Sequence, residues 1–176
     1  MQYRISLRSV EKMKDLFLTL LTCLMFYMTF FIHYQLESAF IDRFPSLKQA
    51  QLPVLTISAL AYISKICLEA SAPVHTVVVV IICAGVLWLF NPIDWVLSLI
   101  GSLLTIIIVT LGSMILACPL FLKLGYAIPP NFSGYSWYSW TLLNLLELVA
   151  PTLVLVILKV SKFSLLKYLQ DYTAKT

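Results

Sequence analysis

Five apolar runs, at about residues 16–32, 52–68, 74–90, 95–116 and 138–158, dominate this chain. Each is close to the roughly 20 residues that a helix needs to cross a bilayer. A backbone inside hydrocarbon has no water to bond to, so only a helix or a closed barrel satisfies its N–H and C=O groups. The run Val77–Ile82 is β-branched and would read as a strand in water, yet a lone strand in lipid leaves those groups unpaired. The expected fold is therefore all-α, a polytopic integral membrane helical bundle. Composition agrees: 61% of the residues are hydrophobic and 11% charged, with a mean hydropathy of +0.95. Soluble domains have about 45–50% apolar and about 25% charged residues. That difference excludes a soluble enzyme, a disulfide scaffold and a disordered chain.

The connections set the number of helices. Residues 37–51 form a polar link containing Asp42, Arg43, Pro45 and Lys48, and Asn91-Pro92 is a turn signal flanked by Trp88 and Trp95. A loop with Gly125, Pro129, Pro130, Asn131 and Gly134 precedes the last helix. Residues 52–90 as one helix would be about 58 Å long against a hydrocarbon core of about 30 Å, so the chain must turn near residues 70–73. Five hydrophobic helices result, or four full spans if the weakest, 52–68, is re-entrant or interfacial. A cleaved signal peptide is not expected, because the run 16–32 exceeds the length of such a segment.

Residues 1–15 are basic (Arg4, Arg8, Lys12, Lys14), and so is the amphipathic or solvated tail 161–176 (Lys162, Lys167, Lys175). Both read as lipid-headgroup contacts rather than a nucleic-acid surface. With five spans the basic residues divide equally between the two sides, leaving orientation open. A multi-pass protein of a bacterial cytoplasmic membrane is expected. Cys23, Cys67, Cys83 and Cys118 stand singly in apolar stretches, so neither a metal site nor any other cofactor is expected.

Small residues mark a packing face on the fourth helix. Ser98, Gly101, Ser102, Thr105 and Gly112 recur at helical spacings and let helix backbones approach closely. The face suits intramolecular packing, with a homodimer seam or a membrane-protein partner as alternatives.

Polar groups inside the runs carry the chemistry. Glu147 lies in the middle of the fifth helix, where an ionised carboxylate costs at least a few kcal/mol. It must face the bundle, hold a partner or bind a proton. Asn144 shares its face, and Pro151 cannot donate to the carbonyl of Glu147, leaving a local break. Trp137 and Trp140, in an aromatic cluster with Tyr135 and Tyr138, complete a candidate ligand or partner contact, or else form an interfacial belt. Lys65 and Glu69 are spaced to pair or to snorkel, and His75 lacks a second metal ligand at suitable spacing. Leu68–Pro73 and Leu146–Pro151 share Leu-Glu-x-x-Ala-Pro, a four-position similarity compatible with a repeat or with chance.

His75 and Cys83 invite comparison with the accessory membrane peptidases that process peptide pheromones. Those enzymes set His and Cys seven residues apart, whereas here the spacing of eight turns the pair about 80° off one face. No other catalytic constellation stands in the sequence, so a non-enzyme is expected.

From about Leu52 to Lys159 the chain resembles the membrane-embedded sensor region of Gram-positive GHKL-type sensor histidine kinases. Leu68-Glu69-Ala70-Ser71-Ala72-Pro73, Asn91-Pro92 before Trp95–Ile100, and Pro119–Gly125 before a Pro/Asn loop carry that resemblance. It implies a sensory module that perceives a peptide, lipid or envelope state and signals by helix contact. No kinase box is present, so kinase activity is not implied. A looser similarity, to the vitamin-binding S-components of energy-coupling transporters, implies small-molecule binding at the aromatic segment with Asn144 and Glu147.

Overall fold

The computed structural model describes the backbone of residues 2–68, 72–128 and 136–164, with side chains from 16–64, 74–128 and 136–164. Every described element is a helix. These are α1 (Gln2–Phe40), α2 (Leu47–Leu68), α3 (Ala72–Phe90), α4 (Trp95–Gly112), a π turn (Ser113–Ala117), α5 (Cys118–Lys123), α6 (Trp137–Glu147) and α7 (Val149–Ser161). Among the described residues, Leu16–Phe40, Trp95–Lys123 and Trp137–Ser161 are long and apolar enough to cross a membrane, and Val74–Phe90 is a shorter apolar helix. Large apolar side chains such as Val77, Ile107, Leu153, Ile157 and Val160 face outward. The molecule is an all-α membrane helical bundle.

Helix ends follow from local hydrogen bonding. α1 closes on Asp42, whose φ of 61° is left-handed, with Arg43 N–H donating to Ser38 O at 2.9 Å and Asp42 N–H to Ala39 O at 3.1 Å. Ser46 and Gln49 open α2 reciprocally. Ser46 N–H donates to Gln49 Oε1 at 2.9 Å, and Gln49 N–H to Ser46 Oγ at 3.4 Å. That capping box starts α2 at Leu47 rather than at residue 52. The first helix also outruns its sequence expectation, 16–32: His33 lies inside it, and so does Glu37, which the sequence reading placed at the start of a polar link. Both point inward, as do Leu36, Ala39 and Ile41, so the apolar face continues to the end of α1.

Neighbouring helices alternate in direction. Phe26 of α1 meets Tyr62 of α2 at 6.3 Å between ring centroids, while Tyr34 shares a pocket with Gln49 and Pro53. α4 also runs antiparallel to α1: a Cβ on Gly101 would lie 3.7 Å from Glu37 O, and Thr29 shares a cavity with Val109. The central helix is α1, which packs against α2, α3, α4, α6 and α7. One core cluster joins Phe30 and Tyr34 to Val54 and Ile57 of α2 and to Val79 and Leu87 of α3. A second joins Leu36 and Phe40 to Leu158 of α7.

Two of the rods are broken, each at a proline. Pro119 has no N–H, and its ring would crowd the carbonyl four residues back. The backbone widens there into the π turn, with Cys118 N–H donating to Ser113 O. Pro151 likewise leaves the carbonyl of Glu147 without a donor. The last rod divides at Leu148 into α6 and α7.

Candidate functional site

The two breaks face each other. Ser113, the first residue of the π turn, donates its hydroxyl to Glu147 Oε1 at 2.9 Å, and Glu147 is the last residue of α6. Gly112 permits this approach. A β-carbon built there would overlap the Cβ of Ala150, one turn past Glu147, with no flexible side chain to yield. The two proline-made irregularities are therefore joined by one interhelical hydrogen bond, above a contact too close for any side chain on Gly112.

Beside this junction lies a cavity of about 310 Å³ between α1, α3, α4 and the end of α6. Its polar lining comes from Thr29 and His33 of α1, His75 and Thr76 of α3, and Asn144 and Glu147 of α6. Val79, Ile106, Val109 and Leu148 complete its walls. Asn144 donates to Trp140 O at 2.8 Å, which holds its amide against α6 and fixes its direction. His33 is buried, and its Nε2 makes no hydrogen bond to protein. The cavity lies near the middle of the spans Leu16–Phe40 and Trp95–Lys123, beside the break in Trp137–Ser161. Such a chamber of donors, acceptors and one carboxyl can orient a small polar molecule or pass a proton. Among the described residues no group of three or more His, Cys, Asp or Glu could hold a metal ion.

The sequence-derived residues are distributed unevenly. Glu147 and Asn144 share the cavity. Trp137 and Trp140 stay outside its lining, with Trp137 half exposed and edge-on to Tyr138 at 5.9 Å. Trp137 opens α6 and Glu147 closes it, about 15 Å apart along the helix. Lys65 and Glu69 fall outside the residues whose side chains are described. Ser98, Gly101, Ser102 and Thr105 are buried, and Gly101 and Ser102 lie against Glu37 of α1. Gly112 meets α7 instead, so the small-residue face serves two neighbours. His75 lines the cavity, whereas Cys83 lies beside Glu37.

His33 and Glu37 are the buried ionisable residues that the sequence reading missed. They are spaced i, i+4 and flanked by Leu36, Ala39, Phe40 and Ile41 at helical intervals, a pattern that marks an inward polar face rather than a loop.

Fold and site together define a helical integral membrane protein with a polar chamber inside its bundle. No protein-family model matches the chain, and the comparisons with curated proteins and with solved structures found no match.

Proposed function

We propose that this protein is a membrane-embedded sensor, acting through helix contacts, whose signal is a small polar molecule bound in the Glu147 cavity. The observation that carries this reading is the position of the Ser113–Glu147 hydrogen bond, which joins two helix breaks and borders the chamber. Carboxyl groups inside membranes are by default sites of ligand, ion or proton contact, and π turns occur frequently at functional sites. A ligand bearing an amine or another hydrogen-bond donor would engage Glu147 and Asn144 in competition with Ser113. Occupancy would loosen the junction, shift α5 and α7, and change the lipid-facing surface offered to a partner. A bacterial cytoplasmic membrane is the proposed setting, and the proposal assigns no catalytic step.

A binding component of a transporter is the second reading, favoured by the depth of the cavity near the middle of the spans. In-membrane photocrosslinking from Val156 and Val160, which face outward on α7, separates the two. The sensor reading predicts a discrete crosslinked partner whose yield changes severalfold in Glu147→Leu. Absence of any partner together with saturable uptake of a small solute by vesicles would replace it with the transporter reading.

A further inference from the structure

A series of buried polar groups along the last turns of α1 leads away from the cavity. One turn beyond His33, Glu37 is 1% exposed, with its carboxyl beside Ser102 of α4 and Cys83 of α3. Those neighbours do not saturate it. Glu37 Oε2 and the side-chain oxygens of Ser38, Ser102 and Thr105 make no well-formed hydrogen bond to protein. Tyr34 continues the series: its hydroxyl lies beside Ser38, within the field of Glu37, and accepts from Asn91 Nδ2 at 3.3 Å. Asn91 Oδ1 in turn accepts from Arg43 Nη1 at 3.5 Å, at the exposed end of the bundle. Tyr34, Asn91 and Arg43 line a surface pocket of about 420 Å³ there.

A purely structural polar seam would pair its members, since a buried group without a partner is costly. Among the described residues, three side chains with unpartnered atoms occur here on α1 (His33, Glu37 and Ser38) and two on α4 (Ser102 and Thr105). Carboxyl, hydroxyl, phenol and imidazole groups each can accept a proton on one side and release one on the other, and bridging water suits such polar sites. Among the described residues, Glu37 is neighboured by Tyr34 and, by its i, i+4 spacing, His33 on α1, by Cys83 of α3 and by the Ser102 hydroxyl of α4. Arg43 reaches it through Tyr34, while Lys48 near the start of α2 and Lys159 near the end of α7 are exposed. Among the described residues no cation is buried beside the carboxyl to hold it permanently charged.

We infer that this series is a proton path, leading from the surface pocket at Arg43 and Asn91 past Tyr34 to Glu37, and from Glu37 through His33 into the cavity. At each step one proton is gained and one passed on: Glu37 takes it on a carboxyl oxygen, and His33 accepts it on one ring nitrogen and releases it from the other. The path uses the cavity only as its inner end. It goes beyond the sensory reading by making the protonation of the chamber depend on the pH at one face of the membrane.

Dicyclohexylcarbodiimide tests this on the full chain in sealed native membrane vesicles of each orientation. The reagent enters from the bilayer and reacts with a protonated carboxyl. The acid proton moves to a carbodiimide nitrogen, the carboxyl oxygen bonds to the central carbon, and acyl migration to nitrogen leaves a stable N-acylurea that peptide mass spectrometry locates. Labelling of Glu37 is expected to rise severalfold when the face carrying Arg43 is acidified with the other face held constant. Tyr34→Phe and Asn91→Leu should each remove that response. Labelling indifferent to the pH at that face, or a response unchanged in both variants, would overturn the path. Should either variant fail to elute as a folded species, the other decides, and the wild-type response stands on its own. Ligand retention at Glu147 is read separately by mass, so the path and the sensor reading can fail independently.

Discussion

Glu147 is held by a single described hydrogen bond to another helix, from Ser113. Interhelical hydrogen bonds within membranes contribute on average about 0.6 kcal/mol and at most about 1.7. Ser113→Ala should therefore lower the unfolding free energy in detergent by that modest amount. Glu147→Gln, which keeps an acceptor oxygen, should lower it less than Glu147→Leu, and Ser113→Ala should add nothing to the loss in Glu147→Leu. Full additivity of the last pair would show that the bond is not formed. Glu147 and Asn144 stood out in the sequence because a carboxyl in the middle of a long apolar run must face the bundle, hold a partner or bind a proton, and an interhelical hydrogen bond such as that from Ser113 is one way to meet that need. His33 and Glu37 could not be read so directly. They stand where an apolar run gives way to a polar stretch, and whether a helix stops or continues there depends on what its inward face meets.

At the scale of the elements, the two proline breaks and the glycine between them form one device. Gly112 and Gly101 look equivalent in the sequence, as members of one small-residue face, yet their surroundings differ. A Cβ on Gly101 would make ordinary contacts at 3.7 Å with Glu37 O and Leu87, whereas one on Gly112 would overlap Ala150. Gly101→Ala is expected to leave thermal stability nearly unchanged. Gly112→Ala should destabilise by about 1–3 kcal/mol, the usual cost of overpacking, and Gly112→Ala with Ala150→Gly should recover most of it. Equal melting temperatures for the two single variants would contradict the packing. The small-residue face was legible because spacing alone defines it. Its partners were not, since nothing in the periodicity of α4 distinguishes a contact with α1 from one with α7. The π turn has a sequence cause in Pro119, but proline alone does not say whether a helix kinks, ends or widens.

For the whole molecule, alternating helix directions place the turns at residues 41–46 and 91–94 at one end, with Lys123 and the start of α6 at the other. Cysteines replacing Ser46 and Asp94 should react with an impermeant maleimide from the same side of the membrane, and one replacing Lys123 from the opposite side. Reaction of all three from one side would refute the alternation. The number of helical rods was legible because bilayer thickness limits segment length. Orientation was not, since a five-span reading of the sequence divides the basic residues equally between the two sides and leaves the positive-inside rule undecided.

The claim that binds these scales is that a small polar ligand occupies the chamber beside the Ser113–Glu147 junction. Native mass spectrometry of the protein released directly from its membrane tests it, comparing the wild type with a folded Glu147→Leu variant. The account predicts one discrete non-lipid adduct on the wild type and its loss from the variant. Identical spectra from the two proteins would contradict it.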